Sequence, residues 1–281
     1  MTNAHPPNFQ AAHQFSLEGG RRLGENRSIE PKAPSTGSLS FLTWNILREG
    51  KSPLASGWVK RRQSFGEIFR DKGFDIICFQ EALPGQIAFF EALFPRHDRY
   101  GLGRDDGKSG GEHCPIFFDR ERFEFTDSGT FWLSPTPETP SKGWGEGFPR
   151  ICSWVELGDR FTGRRFRVSN LHLQLHPYAQ ARAADLLAER FRQVGLPQLV
   201  AGDFNCPAHW PGVNRLLASG LKRIPHGNQA TFHLRGFPIR TLDHILTSSG
   251  WAVEETGILN QRGGSVFPSD HFGLTARFRL A

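Results

Sequence analysis

The sequence predicts an α/β protein, in the broad sense that includes α+β, built on a mixed sheet or two sheets and not on a simple doubly wound one. Two observations lead to this class. Short apolar or β-branched runs, typical of strands, recur along the chain, with only a few stretches of helical periodicity between them. Gly- and Pro-rich loops separate the runs, so strands and helices do not alternate cleanly. The length of 281 residues suits one large domain or two small ones.

The elements follow from these patterns in chain order. Strands are expected at 39–44, 74–80, 114–118, 151–157, 165–173, 197–202, 241–247 and 272–279. Helices are expected at 58–71, 84–93, 178–194 and 212–219. The third helix has the clearest pattern, since its apolar side chains share one stripe: Leu186, Leu187, Phe191 and Val194. Residues 1–37 are rich in Pro, Gly, Ser and charge, so we expect a flexible tail there and one domain over 38–281.

The amino-acid composition bears on the cellular compartment and on the class of binding partner. Lys and Arg exceed Asp and Glu by 34 − 28 = 6, and the pI of about 9.5 suits nucleic acid or a phosphorylated substrate. The four cysteines form no CxxC pair, and Cys78 and Cys152 lie in apolar runs, which indicates reduced core residues. No stretch is long enough to span a membrane, and the N-terminus lacks a secretory pattern. We therefore expect a cytoplasmic protein, and a monomer.

Polar side chains stand at or near the ends of several predicted strands. They are Asn45, Glu81, His172, Asp203, Asn205, Asp243, Asp270 and His271. Mg²⁺ takes oxygen ligands from one or two carboxylates, and histidines near carboxylates can act as general acids or bases. Taken singly, Asn45 could cap a turn and His172 could be a core histidine. A buried Asp243 needs a partner, and so many polar residues at strand ends indicate a shared site.

Six motifs, in this order, resemble the endonuclease/exonuclease/phosphatase superfamily over residues 39–281. They are TWNIL, CFQEAL, NLHLQLH, AGDFN, LDHIL and PSDHFGL. Two further stretches, GRDDGKSGGEHCPIFF and GTFWLSP…SKGWGEGFPRICSW, resemble a bacterial subgroup to which no common activity is assigned. The resemblance implies the deoxyribonuclease-I-like fold, a four-layer sandwich of two mixed β-sheets face to face with helices outside.

The resemblance also implies a metal and the residues around it. Glu81 would be the chief ligand of Mg²⁺, with Asn45 and Asp270 close by, and Mn²⁺ could replace Mg²⁺. Arg150 sits where some members bind the substrate phosphate. Asp105 or Asp106 is near the place of a carboxylate that supports a histidine in some members.

The remaining matched positions carry the chemistry in the family. Asp203 would handle a proton and Asn205 would hold a phosphate oxygen. His271 would pair with Asp243, and His172 would lie against the phosphate. The sequence departs from many members at His244, where they have Tyr or another aromatic residue, and we expect this to change packing without loss of chemistry.

The resulting prediction is a Mg²⁺-dependent phosphodiesterase, most consistent with a nuclease. The basic balance, three arginines near the His172 strand and an aromatic loop favour nucleic acid: Arg164, Arg165, Arg167, Trp132, Trp144 and Phe148. The first alternative is a phosphatase or phosphodiesterase of inositol phosphates, phospholipid headgroups or other small phosphoesters, since no nucleic-acid module is recognisable. The second is a non-catalytic binding protein on the same fold, although such proteins usually lose a site residue.

Overall fold

A computed structural model describes residues 37–50, 55–226 and 230–280. The predicted tail, apart from Gly37, lies outside the described residues. All the described residues belong to one compact unit, Ala33–Ala281.

The strands, numbered along the chain, form two six-stranded sheets and a separate hairpin. The first sheet has the spatial order β13 (Trp251–Leu259), β14 (Gly273–Leu280), β1 (Ser38–Asn45), β2 (Ile76–Gln80), β4 (Ile116–Asp119) and β3 (His97–Tyr100). The second has the order β5 (Phe123–Trp132), β6 (Ile151–Asp159), β7 (Arg165–His172), β8 (Gln198–Asp203), β12 (Asp243–Thr247) and β9 (Lys222–Arg223). The hairpin joins β10 (Phe232–Leu234) to β11 (Phe237–Arg240). Both sheets are mixed, because β1 pairs with β2 and β7 with β8 in parallel while their other pairings are antiparallel.

Four described helices cover the outer faces of the sheets: α1 (Trp58–Phe69), α2 (Pro84–Leu93), α3 (Pro177–Arg192) and α4 (Pro211–Ala218). Three of them begin with Pro, whose missing N–H costs nothing in the first helical turn. Phe65 and Phe90 pack α1 and α2 on the first sheet, and Leu187 and Leu216 pack α3 and α4 on the second. No described helix is both long and apolar enough to cross a membrane.

A separate apolar core lies between the two sheets, with Phe41 and Ile76 from one and Phe166 and Leu199 from the other. The order helices, sheet, sheet, helices confirms the predicted four-layer sandwich. All four cysteines are buried and free, which confirms the prediction made for Cys78 and Cys152.

The sequence prediction missed the edge strands of both sheets. β3 and β13 are the two edges of the first sheet, and β5 and β9 are the edges of the second. Edge strands are half solvated, so they carry polar residues and lack the continuous apolar runs that mark central strands. The segment "WAVEETGIL" of β13, largely exposed along its length, shows why the pattern was not recognised.

Buried amides join the two sheets near the ends of β2 and β7. Gln80 Nε2 donates to Asn170 Oδ1 (2.7 Å), and Asn170 Nδ2 donates to the carbonyl oxygens of Phe79 (2.8 Å) and Pro115 (2.9 Å). These hydrogen bonds fix the relative position of the elements that carry the amides, although Gln80 Oε1 has no hydrogen-bond partner among the described residues. The carboxyl ends of β1 and β2 are thus held opposite those of β7 and β8.

Candidate active site

The predicted site residues meet where the strand ends of the two sheets face each other. On the second sheet, Asp203 at the end of β8 lies beside His172 on β7 and Asp243 on β12. On the first sheet, Asn45 ends β1 and its Nδ2 reaches across to Asp203 Oδ2 at 2.9 Å. The period of two in each strand directs these side chains into the space between the sheets.

Asn45 links two carboxylates as a hydrogen-bond donor. Its Nδ2 donates to Glu81 Oε1 (3.1 Å) as well as to Asp203, while its Oδ1 accepts from the Leu47 backbone N–H (3.0 Å). Reversing the amide would turn its oxygen toward two carboxylates, which is unfavourable while they are ionised. In this orientation Asn45 lies beside Glu81 and presents an N–H donor to it, and its role as a metal ligand stays a prediction.

Glu81 directly follows β2 in the left-handed region, with φ of 62°. A non-glycine residue in this conformation is strained and is often held at functional sites. Its second oxygen, Oε2, accepts from the Arg48 backbone N–H at 3.1 Å. The side chain is thereby fixed between the ends of β1 and β2.

Asp270 brings a second carboxylate close to Glu81. Burial raises the pKa of Asp270 above its usual range, and Glu81 raises it further while His271 lowers it. Two carboxylates held near each other with little solvent repel, and a hard divalent cation with oxygen ligands relieves that repulsion. Glu81 and Asp270 therefore fit a divalent metal. Asp203, Asp243 and His271 form a second candidate group, whose ligand atoms lie within 4.8 Å of one another.

Two hydrogen bonds hold the loop that carries His271 to the end of β1. Ser269 Oγ donates to the Asn45 carbonyl oxygen (2.6 Å), and Trp44 Nε1 donates to the His271 carbonyl oxygen (2.8 Å). Both contacts join the loop to the end of β1, so the histidine and the metal side of the site are held in one frame.

His271 pairs with Asp243, as the resemblance implied. Its Nδ1 lies 2.8 Å from Asp243 Oδ2, and its Nε2 lies 3.8 Å from Asp203 Oδ2. Burial lowers the pKa of His271, but Asp243 and then Asp203 raise it more, and the result is about 10. The ring is therefore an imidazolium at neutral pH. The other oxygen of Asp243, Oδ1, is buried and has no hydrogen-bond partner within the described part of the chain.

Asp203 lies at the centre of the cluster and is almost fully buried. Burial raises its pKa to about 7; Asp243 acts in the same direction, and His271 and Asn45 act against it. The backbone N–H of Asn205 donates to Asp203 Oδ1 (2.8 Å), and Asn205 itself has a left-handed φ of 52°. Asn205 Nδ2 donates to the Leu173 carbonyl oxygen (2.8 Å), which leaves the second N–H of that amide for another acceptor.

His172 is a neutral imidazole beside Asp203. Its Nε2 lies 3.5 Å from Asp203 Oδ2. Burial lowers the pKa of His172 well below its usual value, and the positive charges of Arg150, Arg104 and His271 lower it further. The site thus holds one charged and one neutral histidine on either side of one carboxylate.

Arg150 is a buried arginine whose electrostatic neighbours include His172 and Glu112. Its Nε is buried and has no hydrogen-bond partner among the residues described. A buried guanidinium with an unused donor is costly unless a ligand or ordered water completes it.

Asp105 and Asp106 are not brought to His172. Both carboxylates are exposed and bond within their own loop: Asp105 lies 3.6 Å from Arg104 Nε, and Asp106 accepts the backbone N–H groups of Lys108 (2.7 Å) and Gly110 (2.8 Å). Instead, their neighbour Arg104 points inward and forms a buried ion pair with Glu112. The sequence reasoning missed this pair; the only signal was a Gly-rich turn of alternating charge.

Arg61 is a second residue that sequence reasoning missed. It is buried in α1 and donates to the carbonyl oxygens of Ile46 (2.7 Å), Leu47 (2.9 Å) and Pro268 (3.0 Å). Burial lowers its pKa to about 10, while Asp270 and Glu81 act in the opposite direction. Arg61 thus holds together the two loops that follow Asn45 and precede Asp270. The signal was an arginine on the apolar face of a predicted helix.

The arginines taken to favour nucleic acid lie at the start of β7, whereas His172 lies at its end. Arg165 Nη2 and Arg167 Nη2 pair with Glu156 at 3.3 and 2.6 Å, and the Arg167 guanidinium lies 3.8 Å from the centre of the Trp154 ring. The single carboxylate of Glu156 thus matches one of the two positive charges, at the opposite end of β7 from His172.

Of the three aromatic residues assigned to the same role, one is exposed, one is partly buried and one is buried. Trp132 is buried and donates from Nε1 to the Arg104 carbonyl oxygen (2.6 Å), and Trp144 packs against the core under α3. Phe148 is 50% exposed and lies over Arg104. His244 is buried, bonds the Cys206 carbonyl oxygen through Nε2 (2.8 Å) and contacts Phe204, and the expectation that it leaves the chemistry intact stays a prediction.

Several solved structures are similar to this chain. An endonuclease/exonuclease/phosphatase family protein of Bacteroides thetaiotaomicron is 30% identical, with a TM-score of 0.80 over 87% of this chain and 98% of its own. A mannosyl-6-phosphatase of the same organism is also 30% identical, with a TM-score of 0.78 over 85% of this chain and 99% of its own. D. rerio TDP2, solved with a single-strand DNA product, shares the fold at 15% identity, with a TM-score of 0.69 over 86% of this chain and 99% of its own.

The family model described as "Endonuclease/Exonuclease/phosphatase family" matches residues 42–271. This range covers most of the chain and contains every residue of the cluster around Asp203. Members of the family are hydrolases that act on phosphoesters. The protein therefore belongs to the endonuclease/exonuclease/phosphatase family.

Proposed function

We propose that the protein is a phosphatase that hydrolyses small phosphomonoesters and depends on Mg²⁺, with Mn²⁺ as a possible substitute. The observation that carries the proposal is Arg150, a buried arginine with an unused Nε beside the neutral His172. A phosphate group offers the charge and the acceptors that Arg150 lacks. Mg²⁺ would be held by Glu81 and Asp270.

Two observations favour a small monoester over a nucleic acid. Arg165 and Arg167, which a polyanionic chain would need beyond the cleaved phosphate, are already paired with Glu156. The mannosyl-6-phosphatase is twice as similar in sequence as the DNA-bound TDP2, with identities of 30% and 15%. The similarity to TDP2 supports a shared fold and nothing further.

The chain's own residues have distinct tasks in this mechanism. Asp203 accepts a proton from the attacking water, because its pKa of about 7 is matched to neutral pH. Asp243 and Asp203 raise the pKa of His271 and favour its protonated form, which donates a hydrogen bond and positive charge to a phosphate oxygen. Arg150 and the free N–H of Asn205 hold the remaining oxygens. As the water oxygen bonds to phosphorus, the bond between phosphorus and the alcohol oxygen breaks, and the leaving alkoxide takes a proton from water. The bound metal would add neutralisation of the charge that develops on phosphate.

The test is a panel of substrates with Mg²⁺, with and without EDTA: hexose 6-phosphate, glycerol 3-phosphate, bis-p-nitrophenyl phosphate, an inositol polyphosphate and single- and double-stranded oligonucleotides. We expect kcat/KM for the best monoester to exceed that for the diesters by on the order of tenfold or more. The Glu81→Gln variant, purified in parallel, controls for contaminating phosphatase. Faster cleavage of an oligonucleotide than of any monoester would contradict the proposal.

A nuclease is the second candidate, and the hairpin of β10 and β11 favours it. Phe232 at its base contacts the His271 ring, with ring centres 5.3 Å apart. The hairpin exposes Phe237 and Ile239 and carries the exposed Arg235 and Arg240. Aromatic and arginine side chains together can bind single-stranded nucleic acid by stacking and charge. The oligonucleotides in the panel distinguish the two candidates.

A further inference from the structure

Phe148 and Arg104 form an exposed stack on a rigid base. The Arg104 guanidinium lies 5.3 Å from the centre of the Phe148 ring, and the ring is half exposed to solvent. Arg104 itself is buried, and its backbone is bonded on both sides, from its N–H to the Glu112 carbonyl oxygen (3.1 Å) and from Trp132 Nε1 to its own carbonyl oxygen (2.6 Å). The arginine is therefore held in place and supports one face of the ring.

This stack borders the site without belonging to the cluster around Asp203. The charge of Arg104 lowers the pKa of His172. Glu112, the ion-pair partner of Arg104, also lies 3.7 Å from Arg48 Nε, and the Arg48 backbone N–H donates to Glu81 Oε2 (3.1 Å). Along the chain, Phe148 precedes Arg150 by two residues. The stack thus lies next to the place where the phosphate is proposed to bind.

The charges around the stack are balanced. Arg48, Arg104 and Arg150 all lower the pKa of Glu112, Glu81 raises it, and Asp105 is paired with Arg104. The balance of these residues is 3 − 3 = 0. The buried Nε atoms of Arg104 and Arg150 have no hydrogen-bond partner in the described ranges.

A second stack of the same kind provides a comparison within the chain. Phe161 is 57% exposed and its ring centre lies 5.4 Å from the Arg122 guanidinium. Arg122 also has a buried Nε without a partner in the part of the chain described, but it faces two carboxylates, Asp75 (3.0 Å) and Asp159 (2.9 Å), so its charge balance is 1 − 2 = −1. The two stacks share their geometry and differ in charge and in distance from the site.

We propose that Phe148 and Arg104 form a subsite for the alcohol part of the substrate, and that this part is a sugar ring. A sugar ring has an apolar C–H face that packs on an aromatic ring and hydroxyl oxygens at its rim that accept from a guanidinium. The inference rests on the proposed function, and the 30% identity to a mannosyl-6-phosphatase supports it. The phosphate would lie toward Arg150 and the sugar over Phe148.

The test compares a ring-containing substrate, hexose 6-phosphate, with a ring-free one, glycerol 3-phosphate, in three variants. Phe148→Ala should lower the ratio of the two kcat/KM values by on the order of tenfold, mainly through KM for the hexose phosphate. Phe148→Tyr should restore the ratio. Phe161→Ala, the matched control, should leave it unchanged. Arg104→Lys keeps the charge opposite Glu112 and should lower the same ratio if the fork of the guanidinium binds hydroxyls.

Binding separates failure of the subsite from failure of the proposed function. Calorimetric titration of the protein with hexose 6-phosphate, without metal, should give a Kd that rises on the order of tenfold in Phe148→Ala and does not change in Phe161→Ala. If turnover of both substrates is independent of Phe148, the subsite is wrong and the phosphatase stands. If hexose phosphate binds in a Phe148-dependent way but is not hydrolysed, the phosphatase is wrong and the subsite stands. Phe148-dependent binding of nucleoside monophosphates alone would overturn the assignment to a sugar.

Discussion

The two ends of β7 differ in what surrounds their carboxylates. Where the strand begins, each carboxylate faces an arginine: Arg165 and Arg167 share Glu156, and nearby Arg122 faces Asp75 and Asp159. Where it ends, at His172, the carboxylates of Asp203 and Asp243 lie close to each other, and among the described residues buried polar atoms without a partner occur at both ends.

The two ends therefore have different roles, one structural and one in binding. Ion pairs that are complete in the folded chain stabilise or orient it and need nothing more. Buried groups left incomplete, such as Asp243 Oδ1 and Arg150 Nε, are costly to the fold. They are typical of positions that a substrate, a metal or ordered water completes. We call the His172 end of β7 the open end and the Arg165 end the closed end. The assignment is wrong if the open end is dispensable for activity or if the closed end is required for it.

The largest effect is expected from Glu81→Gln, which keeps the shape of the side chain and removes the charge that would hold the metal. We expect kcat/KM to fall by a factor of about 100 or more, or roughly 3 kcal/mol of transition-state stabilisation. The measurement is the initial rate at saturating Mg²⁺, with circular dichroism to check the fold. Glu156→Gln, the same change at the closed end, is the control. Near-normal turnover in Glu81→Gln at saturating Mg²⁺ would rule out this ligand assignment.

The next effect concerns His271 and Asp243 as a pair. His271→Ala should lower kcat by on the order of 100-fold, because it removes the imidazolium that faces the phosphate. Asp243→Asn should lower kcat by on the order of tenfold, because the histidine then loses its orienting charge. The double variant should be no worse than His271→Ala, since the residues act as a unit. Losses that multiply in the double variant would show that the pair is not coupled.

A smaller effect is expected in the pH dependence of stability. The pKa of His271 is about 10 in the folded protein and 6.5 is its ordinary value. A raised pKa means that the protonated histidine stabilises the fold fully below pH 6.5 and that this contribution is lost as the pH rises toward 10.

The difference in unfolding free energy between the wild type and His271→Asn should therefore shrink between pH 7 and 10. One proton allows a slope of at most about 1.4 kcal/mol per pH unit. Urea unfolding at several pH values measures it, with Arg165→Gln as a control whose difference should not vary. A constant difference for His271→Asn would mean that its pKa is not raised by folding.

The same contrast explains which features the sequence could predict. Central strands such as β1 and β8 have apolar runs because both of their faces are buried, and they were placed within about a residue at most ends. Edge strands have no such pattern and were missed. The pairing of His271 with Asp243 was expected because the resemblance to the family implied it.

Other features depend on partners that are distant in the sequence. The orientation of the Asn45 amide follows from the backbone N–H of Leu47 and from Asp203 across the sandwich. Whether an arginine is free or paired depends likewise on what lies across space, and for this reason Arg165 and Arg167 were taken as free while Arg104 was overlooked. Residue type indicates chemistry, but only the fold decides which charges remain unpaired.

The smallest effect is expected at the closed end, where Arg165 and Arg167 are both changed to Gln. If Glu156 holds both arginines away from the substrate, kcat/KM for phosphomonoesters should change by less than about twofold, as for most surface substitutions away from a site. The salt dependence of oligonucleotide binding tests whether these arginines contact a polyanion. A polyanion held by these arginines would release counterions, and the double variant would then reduce the slope of log K against log salt by about 0.7 for each lost contact with a single strand. We expect the slopes of the wild type and the variant to coincide. A flatter slope in the variant would move the closed end into the substrate-binding surface and would favour the nuclease over the phosphatase.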